Sequence, residues 1–263
     1  MSEWSIEDCI DLARRAGAAI MEIYAQDFDV QSKADDSPLT AADMASHRIL
    51  CDGLAALTPD VPILSEESAT TPWETRRTWT RYWLVDPLDG TREFVKKNGE
   101  FTVNIALIED GVSVLGVVYA PALDYLVHAE RGVGACLRDG EADVELVTQC
   151  PAPNPLRVAA SRSHLDARTA AALEKMGPTE RIGMGSSLKF CRIAEGRIDV
   201  YPRFGPTSEW DTAAAQCVLE AAGGVVMTLD GQPLKYNTKD SVLNPDFLAL
   251  GDEGLNWKVW LDD

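Results

Sequence analysis

An apolar run ends abruptly in two carboxylates in the stretch Trp83-Leu84-Val85-Asp86-Pro87-Leu88-Asp89-Gly90-Thr91 (residues 83–91). The run has the length and composition of a buried strand. Pro87 fixes φ at the second position of a four-residue turn, which would bring Asp86 and Asp89 within about 7 Å of each other. Two neighbouring carboxylates with the Leu88 carbonyl between them form an all-oxygen ligand set, which suits a hard ion such as Mg2+ rather than zinc or copper.

The two residues that follow, Gly90 and Thr91, indicate an anion beside these carboxylates. A glycine lets the backbone approach a ligand closely, and the amides at the start of a short helix would point at a phosphate. An isolated D-x-x-D-G pattern is also typical of a plain surface turn. Residues elsewhere in the chain therefore have to distinguish a metal site from a turn.

The charge balance narrows the classes of partner. The chain has 263 residues, of which 42 are acidic and 24 basic, so its formal net charge is -18. Such a surface argues against a polymeric nucleic acid as partner, and it predicts that a small anionic substrate reaches the protein through bound cations. With 46% apolar and 25% charged residues the composition is globular, and the length suits one large domain or two closely packed halves.

Cysteine and histidine usage gives no sign of a disulfide framework or a zinc site. The cysteines contain no C-x-x-C pair and are expected to be reduced and mostly buried; they are Cys9, Cys51, Cys136, Cys150, Cys191 and Cys217. The histidines lack zinc-like spacing and are expected to be structural or on the surface; they are His47, His128 and His164. No apolar run approaches the roughly 20 residues of a membrane span, and the polar first turn is unlike a signal peptide. We therefore expect a cytoplasmic protein without a transmembrane segment.

Two amphipathic helices are predicted at the start of the chain. Ser5 is a suitable cap for the first, whose apolar residues recur at three- and four-residue steps as far as Tyr24. Thr40 is the expected cap of the second, which should end near Thr58. Asp43 lies three residues after that cap, at the start of an inward-facing stripe. It is either a site carboxylate or the reciprocal partner in a capping box.

A second strand that ends in carboxylates strengthens the metal hypothesis. Residues 61–64 have the pattern of a short strand, and Glu66 and Glu67 follow almost directly. If both strand ends meet at one edge of a sheet, one of these glutamates joins Asp86 and Asp89. Further strands are predicted at 101–109, at 112–120 and between 125 and about 147. The first half is therefore expected to be two helices on a largely antiparallel sheet.

After a proline-rich connector at residues 150–155, strands and helices alternate, as is typical of a layered α/β unit. Strands are predicted at 157–161, 181–184, 198–201 and 225–229. Helices are predicted at 166–176, 186–195 and 211–222.

Two motifs of the second half are open to more than one interpretation. Trp210-Asp211-Thr212-Ala213-Ala214-Ala215 opens a helix with an acidic residue, which by itself indicates only a favourable contact with the helix dipole. Gly185-Ser186-Ser187-Leu188-Lys189 contains the S-x-x-K pattern of penicillin-binding enzymes, although their S-D-N and K-T-G partners are absent. The same segment could hold a phosphate at a helix start with Lys189 as its cation, or Lys189 could be an ordinary solvated lysine.

Three of these segments together resemble the signatures of the inositol monophosphatase superfamily, in the same order and with similar separation. They are residues 64–68 (Leu64-Ser65-Glu66-Glu67-Ser68), 83–91 and 210–214. Within that superfamily the chain is similar to the bacterial 3'(2'),5'-bisphosphate nucleotidases over further segments, namely residues 32–43, 98–104, 185–190 and 201–207. The resemblance spans nearly the whole chain.

The resemblance implies a mixed α and β fold, an α-β-α-β-α layered sandwich of the inositol monophosphatase and sugar phosphatase type. Residues 1–153 would form an α+β half with a largely antiparallel sheet and most of the metal ligands. Residues 154–263 would form an α/β half that supplies Asp211 and the nucleoside side of the pocket. The active site would lie between the two halves.

The resemblance also implies roles for individual residues. Two or three Mg2+ ions would be bound by four carboxylates and one carbonyl, namely those of Glu66, Asp86, Asp89, Asp211 and Leu88. The residues that act on water would be Glu66, Thr91, Asp43 and Thr40, of which the first two activate the attacking water and the others position a second one. The substrate contacts would come from Leu88, Asp89, Gly90, Thr91, Asp211, Ser187 and Lys189, the last two near the nucleoside or its second phosphate.

The implied reaction is hydrolysis of the 3'-phosphate of adenosine 3',5'-bisphosphate, a by-product of sulfate assimilation, by direct attack of water and with sensitivity to lithium. The substrate would be a small phosphorylated nucleotide, and the enzyme would be a monomer or homodimer, free in the cytoplasm or peripheral on the cytoplasmic face of the inner membrane. Two alternatives stay open. A phosphatase for inositol or sugar phosphates would share the metal site, and a metal-binding protein without catalysis would not need Thr91 and Glu66 to activate water.

Overall fold

Helices and sheets alternate in five layers in the structure, a computed structural model that describes residues 4–26, 38–160 and 167–261. This layering confirms the expected α-β-α-β-α sandwich. None of the helices in the described part of the chain combines the length and the apolar character needed to span a membrane. Most of the predicted segment 32–43, up to residue 37, lies outside the described ranges, as do residue 161 at a predicted strand end and residue 166 at a predicted helix start.

The first sheet has seven strands in sequence order. They are β1 (Ile63–Ser65), β2 (Arg81–Asp89), β3 (Thr102–Glu109), β4 (Val112–Ala120), β5 (Tyr125–Glu130), β6 (Gly134–Asp139) and β7 (Ala142–Glu145). Strand β1 is parallel to β2, and every later neighbour is antiparallel. The expectation of a largely antiparallel sheet in the first half is therefore confirmed.

Helices α1 (Ile6–Tyr24) and α2 (Pro38–Leu57) cover one face of this sheet. Ser5 and Asp8 form the capping box of α1, as the sequence predicts. The inward residues of α1 recur at three- and four-residue steps and pack in one buried cluster with the strands; they include Cys9, Ile10, Ala13, Ala16 and Ile20. Each large apolar side chain buried in this way contributes about 1.5–3 kcal/mol to stability.

The prediction that Thr40 caps α2 is wrong. The helix already includes Pro38, and a proline suits the first helical turn because its missing N–H would have no partner there. Asp43 is therefore not the partner of a cap at Thr40. It lies inside the helix with its side chain buried, on the same face as Leu50 and Leu54.

Two short helices, α3 (Trp73–Arg76) and α4 (Thr91–Val95), flank β2. Helix α4 follows Gly90 as expected, whereas α3 escapes prediction because four residues give no readable periodicity. The buried Arg76 guanidinium donates to Asn237 Oδ1 at 2.7 Å and to the Lys239 carbonyl at 3.1 Å. These bonds tie α3 to a loop of the second half.

The second sheet has five strands in the order β11-β12-β10-β8-β9. They are β8 (Leu156–Ala160), β9 (Thr179–Gly183), β10 (Val200–Arg203), β11 (Val225–Thr228) and β12 (Phe247–Leu250). Strand β8 is parallel to its neighbours β9 and β10, while β12 is antiparallel to β10 and β11. Four of the strands match the predicted alternation, and β12 is an additional one.

Helices α6 (Leu188–Ala194) and α7 (Ala213–Ala221) lie between the sheets, and α5 (Ala167–Met176) covers the outer face of the second sheet. The second and third predicted helices begin later than expected. Residues 186 and 187 precede α6, and a 3-10 turn over Glu209–Asp211 precedes α7. Helix α7 packs directly on β4 at Gly116. A Cβ at this glycine would lie 2.2 Å from the Ala214 carbonyl oxygen, so the close packing requires glycine here.

Candidate active site

The two aspartates of residues 83–91 are brought together by a bulge in β2. Asp86 pairs with Asn104 of β3 and Asp89 with Thr102. The two residues of β2 between these pairs, Pro87 and Leu88, therefore lie opposite a single residue of β3, Val103. The predicted four-residue turn is therefore wrong. Proline is tolerated at a bulge because the ladder is interrupted there, and the extra residue bends the strand where the carboxylates lie.

Helix α2 holds both carboxylate-bearing strand ends from one side. The Ser46 hydroxyl donates to the Pro87 carbonyl at 2.7 Å, inside the bulge. At the next position of the helix, His47 Nδ1 lies 2.9 Å from the Ser65 hydroxyl, directly before Glu66. Since β1 and β2 are parallel, with Ser65 opposite Val85, Glu66 and Asp86 follow this pair at the same end of the two strands.

Glu66, Asp86 and Asp211 converge, with one oxygen from each within 4.8 Å of the others. Asp211 comes from the second half of the chain, in the 3-10 turn before α7. Its Oδ2 accepts the Ser208 amide at 2.9 Å, so it closes a capping box while it also faces the other carboxylates. Its placement is thus more than the contact with a helix dipole that the local sequence indicates.

Asp86 is the least accessible member of the group, with 1% of its surface exposed. Its Oδ1 accepts the Leu88 amide at 3.0 Å, and its Oδ2 is buried without a hydrogen-bond partner in the described part of the chain. Burial, followed by the charges of Asp89 and Glu66, holds the pKa of Asp86 well above its ordinary value. An unpartnered buried carboxylate oxygen is costly unless a cation is meant to meet it.

Asp89 has a different set of contacts. Its Oδ2 accepts the Ser187 amide at 2.6 Å, which joins β2 to the start of α6. Burial, followed by the charge of Asp211, raises the pKa of Asp89 to about 7, while the Lys189 ammonium opposes this shift. Leu88 buries its side chain in the core, so only its backbone is available to a ligand.

The remaining predicted carboxylates surround the group. Desolvation, followed by the charge of Glu67, raises the pKa of Glu66 to about 7, although the residue as a whole is exposed. Burial and the charges of Glu67 and Glu66 raise the pKa of Asp43 to about 8. Burial first, and then the charge of Glu66, raises the pKa of Asp211 to about 6. The charge of Glu66 contributes to the raised pKa of both Asp43 and Asp211, so the three carboxylates share one region.

Gly90 forms the sharp turn from β2 into α4. Its φ is +96°, and a Cβ there would lie 3.0 Å from the Glu100 carbonyl oxygen and 3.3 Å from the Ser186 Cβ. Both the backbone conformation and the close approach therefore require glycine. Thr91 is the first residue of α4 and is exposed beside the site. Thr40 lies in the first turn of α2, partly buried.

A cavity of about 210 Å³ adjoins the carboxylates. Two of them, Asp89 and Asp211, form part of its lining. Its wall also carries Lys189, Arg203, Phe190 and Tyr201. The lining of the cavity therefore includes acidic, cationic and aromatic side chains.

Lys189 is held in place within this wall. Its ammonium donates to the Ser186 carbonyl at 2.7 Å and lies 5.1 Å from the centre of the Tyr201 ring. It is therefore partly buried rather than a solvated lysine on a helix surface.

Ser187 is placed differently from the expectation. It is 1% exposed, and its hydroxyl bonds Asn104 Oδ1 and the Thr102 hydroxyl, both at 2.9 Å. Its side chain therefore points into the interior, and its amide is already used by Asp89. Ser186 lines the cavity instead.

Several residues of the cavity have no role among the expectations from sequence. Arg203 donates to the Thr207 hydroxyl at 2.6 Å and to the Pro206 carbonyl at 2.7 Å. Arg92 and Glu93, on α4, also line the cavity. The one available signal is the resemblance of residues 201–207 to the nucleotidases, which includes Arg203 but implies no contact for it.

The donor set fits hard divalent cations. Several carboxylates meet where one buried oxygen of Asp86 has no donor in the described part of the chain, and the atoms offered are all oxygens, as Mg2+ prefers. Neither thiol nor imidazole belongs to this group of Glu66, Asp86 and Asp211. The acidic group can therefore hold divalent cations, which would in turn neutralise its charge.

Comparison with known proteins identifies the family. The model of the inositol monophosphatase family matches residues 5–260. The chain is 51% identical over 244 residues to the 3'(2'),5'-bisphosphate nucleotidase CysQ of Escherichia coli strain K12, with 92% of this chain and 98% of that protein covered.

Solved structures agree with this assignment. The crystal structure of CysQ from Bacteroides thetaiotaomicron is 40% identical, has a TM-score of 0.81 and covers 93% of this chain and 96% of its own. An inositol monophosphatase from Zymomonas mobilis has a TM-score of 0.80, with 97% of this chain and 95% of its own covered, but at 24% identity it shows the fold alone. On its fold, its acidic site and its relatives, the chain belongs to the inositol monophosphatase family.

Proposed function

We propose that the chain is a Mg2+-dependent phosphatase that hydrolyses the 3'-phosphate of adenosine 3',5'-bisphosphate to give AMP and phosphate. The observation that carries the proposal is a shared wall. Asp211 belongs both to the group of Glu66, Asp86 and Asp211 and to a cavity that Asp89, Lys189 and Arg203 also line. A substrate with two phosphates can place one at the acidic group, through metal, and the other against the cations. The names of the CysQ relatives support the same substrate class.

The metal-binding part of the proposal uses the predicted ligands, the carboxylates of Glu66, Asp86, Asp89 and Asp211 with the Leu88 carbonyl. Bound Mg2+ would neutralise the charge of the phosphate and lower the pKa of a coordinated water. The number of ions, two or three, belongs to the same proposal. The site would lie between the halves 1–153 and 154–263, since Asp211 comes from the second and the other ligands from the first.

The protein's own groups would orient the reaction. The Glu66 carboxylate accepts the proton of the attacking water, and the Thr91 hydroxyl orients that water beside the phosphate. Asp43, with Thr40 in the first turn of α2, positions a second water. The amides of Gly90 and Thr91 face the phosphate, since the first amides of a helix lack partners within it. No covalent intermediate is needed, because water attacks the phosphorus directly.

The nucleotide part of the proposal places the second phosphate against Lys189, with Arg203 as a further cation of the same wall. The Phe190 and Tyr201 faces offer apolar surface to the nucleoside. Ser186 takes the place predicted for Ser187, because Ser187 is buried. An inositol phosphate with one phosphate would leave these cations without a partner, so the cavity favours the bisphosphate.

A phosphate-release assay with Mg2+ over a panel of substrates tests the proposal. The panel is adenosine 3',5'-bisphosphate, its 5'-phosphosulfate analogue, adenosine 3'-monophosphate and inositol 1-phosphate. We expect kcat/KM to be highest for the two nucleotides with two anionic groups. Faster turnover of inositol 1-phosphate would replace this proposal by the inositol phosphatase alternative, and turnover of none of them would favour a metal-binding protein without catalysis.

A further inference from the structure

A second group of potential metal ligands lies far from the carboxylates of the active site. Among the described residues, His128, Cys136 and Asp143 each offer one ligand atom, and these atoms lie within 4.8 Å of one another. His128 and Cys136 are direct partners across β5 and β6, so their side chains stand side by side on one face. Asp143, on β7, reaches the same point, with its Oδ1 2.9 Å from His128 Nε2.

This group faces the opposite side of the sheet from Asp86. Alternate strand residues point to opposite faces, so Asp86 shares a face with Leu84, which packs against the central helix layer. His128 shares a face with Leu126, which packs in the cluster of α1 and α2. The two strands β2 and β5 are three positions apart in the sheet, roughly 14 Å at the usual spacing. The second group therefore cannot share an ion with the first.

The surroundings favour a cation over a purely structural pair. Arg138 binds Asp143 through its Nε at 2.6 Å and Glu7 of α1 through its NH2 at 2.6 Å. One guanidinium thus serves two carboxylates, and Cys136 as a thiolate would add a third negative charge. A divalent ion would neutralise the two charges left over. The exposure of the three ligands increases from the buried His128 through the partly buried Cys136 to the exposed Asp143. An ion can therefore reach the group from solvent.

We propose that His128, Cys136 and Asp143 form a second metal site, for Zn2+ or a chemically similar transition ion, with the fourth position open to water. Imidazole, thiolate and carboxylate are the three ligand types that zinc uses, and a thiolate is unsuited to Mg2+. The ion would join three neighbouring strands at the edge of the first sheet. This inference does not depend on the phosphatase activity, because its ligands take no part in the acidic site.

Binding of the metal ion changes the protonation of its ligands. The Cys136 thiol loses its proton to solvent when its sulfur bonds the ion. The neutral imidazole keeps one proton, which moves to Nδ1 as Nε2 becomes a ligand. Asp143 exchanges the bond between its Oδ1 and His128 for a bond to the ion, and it keeps Arg138, which donates through Nε to the same Oδ1 at 2.6 Å and through NH2 to Oδ2 at 3.4 Å. One proton is therefore released for each ion bound.

Cobalt titration of the full chain tests the site, because only a cobalt ion bound to a thiolate gives an intense sulfur-to-cobalt charge-transfer band. The protein is kept in excess Mg2+, so that the acidic site is occupied, and in a reductant that contains no thiol. We expect the band to saturate at one equivalent of Co2+ and to disappear when one equivalent of Zn2+ is added. Cys136→Ser should remove it, and His128→Gln should weaken or shift it.

The matched control is Cys150→Ser, which removes an exposed thiol elsewhere and should leave the band unchanged. Far-UV circular dichroism of both Cys136→Ser and His128→Gln establishes that a lost band reflects a lost ligand rather than unfolding. The absence of a band in the unmodified protein, or its persistence in folded Cys136→Ser, would overturn the proposal.

Discussion

Two aspartates, Asp86 and Asp199, are each 1% exposed, yet they meet opposite surroundings. Asp199 accepts the Arg157 amide at 2.7 Å and the Arg157 side chain at 3.0 Å (Nε) and 2.5 Å (NH2), so both of its oxygens are satisfied. Asp86 has one oxygen on the Leu88 amide and a second oxygen with no partner in the described part of the chain. Burial, and then the charges of Asp89 and Glu66, raises its pKa.

The hydrogen-bond partners of the two aspartates distinguish a structural residue from a candidate functional one, although both are equally buried. Asp199 has a counter-charge within the fold, and it fixes β8 against the segment that leads into β10. The second oxygen of Asp86 has no such partner among the described residues, and a fold keeps such a group only if something outside the chain supplies the cation. Burial alone therefore does not identify a site, whereas a buried carboxylate oxygen without a partner indicates one.

The largest effect should follow from Asp86→Asn. The substitution removes ligand charge at nearly constant volume, and we expect kcat to fall about a hundredfold or more. In chelator, the variant should unfold at a higher temperature than the unmodified protein, because the cost of burying the carboxylate and its repulsion by Asp89 and Glu66 are relieved. Steady-state kinetics and thermal melts measure the two effects. Retained activity would make Asp86 a structural residue like Asp199.

The reverse pattern is expected for Arg157→Met. Asp199 would then be buried without its counter-charge, and the free energy of unfolding should fall by about 3 kcal/mol. Turnover per folded molecule should stay unchanged, because Arg157 belongs to neither the acidic group nor the cavity. Urea unfolding and kcat, measured on the same preparation, check this. A variant as stable as the unmodified protein would remove the contrast between the two aspartates.

Lys189→Ala should act on one substrate only. The loss of a charged hydrogen bond to the second phosphate should raise KM for adenosine 3',5'-bisphosphate about tenfold to a hundredfold. KM for adenosine 3'-monophosphate should change little. The control is Lys175→Ala, an exposed lysine of α5. Equal effects on both substrates would mean that Lys189 supports the local fold rather than the second phosphate.

A last effect, which needs no substitution, should be a pH dependence of stability in the metal-free protein. A carboxyl whose pKa is raised by folding binds its proton more tightly in the folded chain, so protonation stabilises the fold. For Asp43 the pKa rises from 3.8 to about 8, and for Asp211 from 3.8 to about 6. In chelator the thermal midpoint should therefore fall as pH rises from 5 to about 8. Mg2+ should reduce this fall, and a midpoint that rises with pH in chelator would contradict the raised values.

Much of the acidic group can be predicted from the amino-acid sequence alone. Two strands that end in carboxylates predict that Glu66 or Glu67 joins Asp86, and the parallel pairing of β1 and β2 explains why Glu66 meets it. The bulge is not predictable in this way, because a proline inside a strand has the local pattern of a turn. The pairing with Asn104 that keeps β2 continuous depends on residues remote in sequence.

The second half is harder to predict at the level of contacts. Strand β12 is a run of four buried residues, so its sequence lacks the alternation of apolar and polar residues that predicts a strand. The resemblance to the family implies that Ser187 lies near the nucleoside or its second phosphate, but Ser186 adopts a positive φ of 47° before α6 and the Ser187 side chain points inward. Its partners, Asp89 and Asn104, are remote in sequence. Only the resemblance to the family, not the local pattern, indicates that Asp211 belongs to the metal site.

We propose that the acidic group, in which one buried oxygen of Asp86 has no partner in the described part of the chain, binds divalent metal for phosphate hydrolysis. The most direct test of this proposal is phosphate release from adenosine 3',5'-bisphosphate in excess chelator and again after Mg2+ is restored, with circular dichroism to establish that the fold persists throughout. We predict that turnover is lost in chelator and returns with Mg2+. Substantial turnover in excess chelator, by a folded protein, would contradict the account.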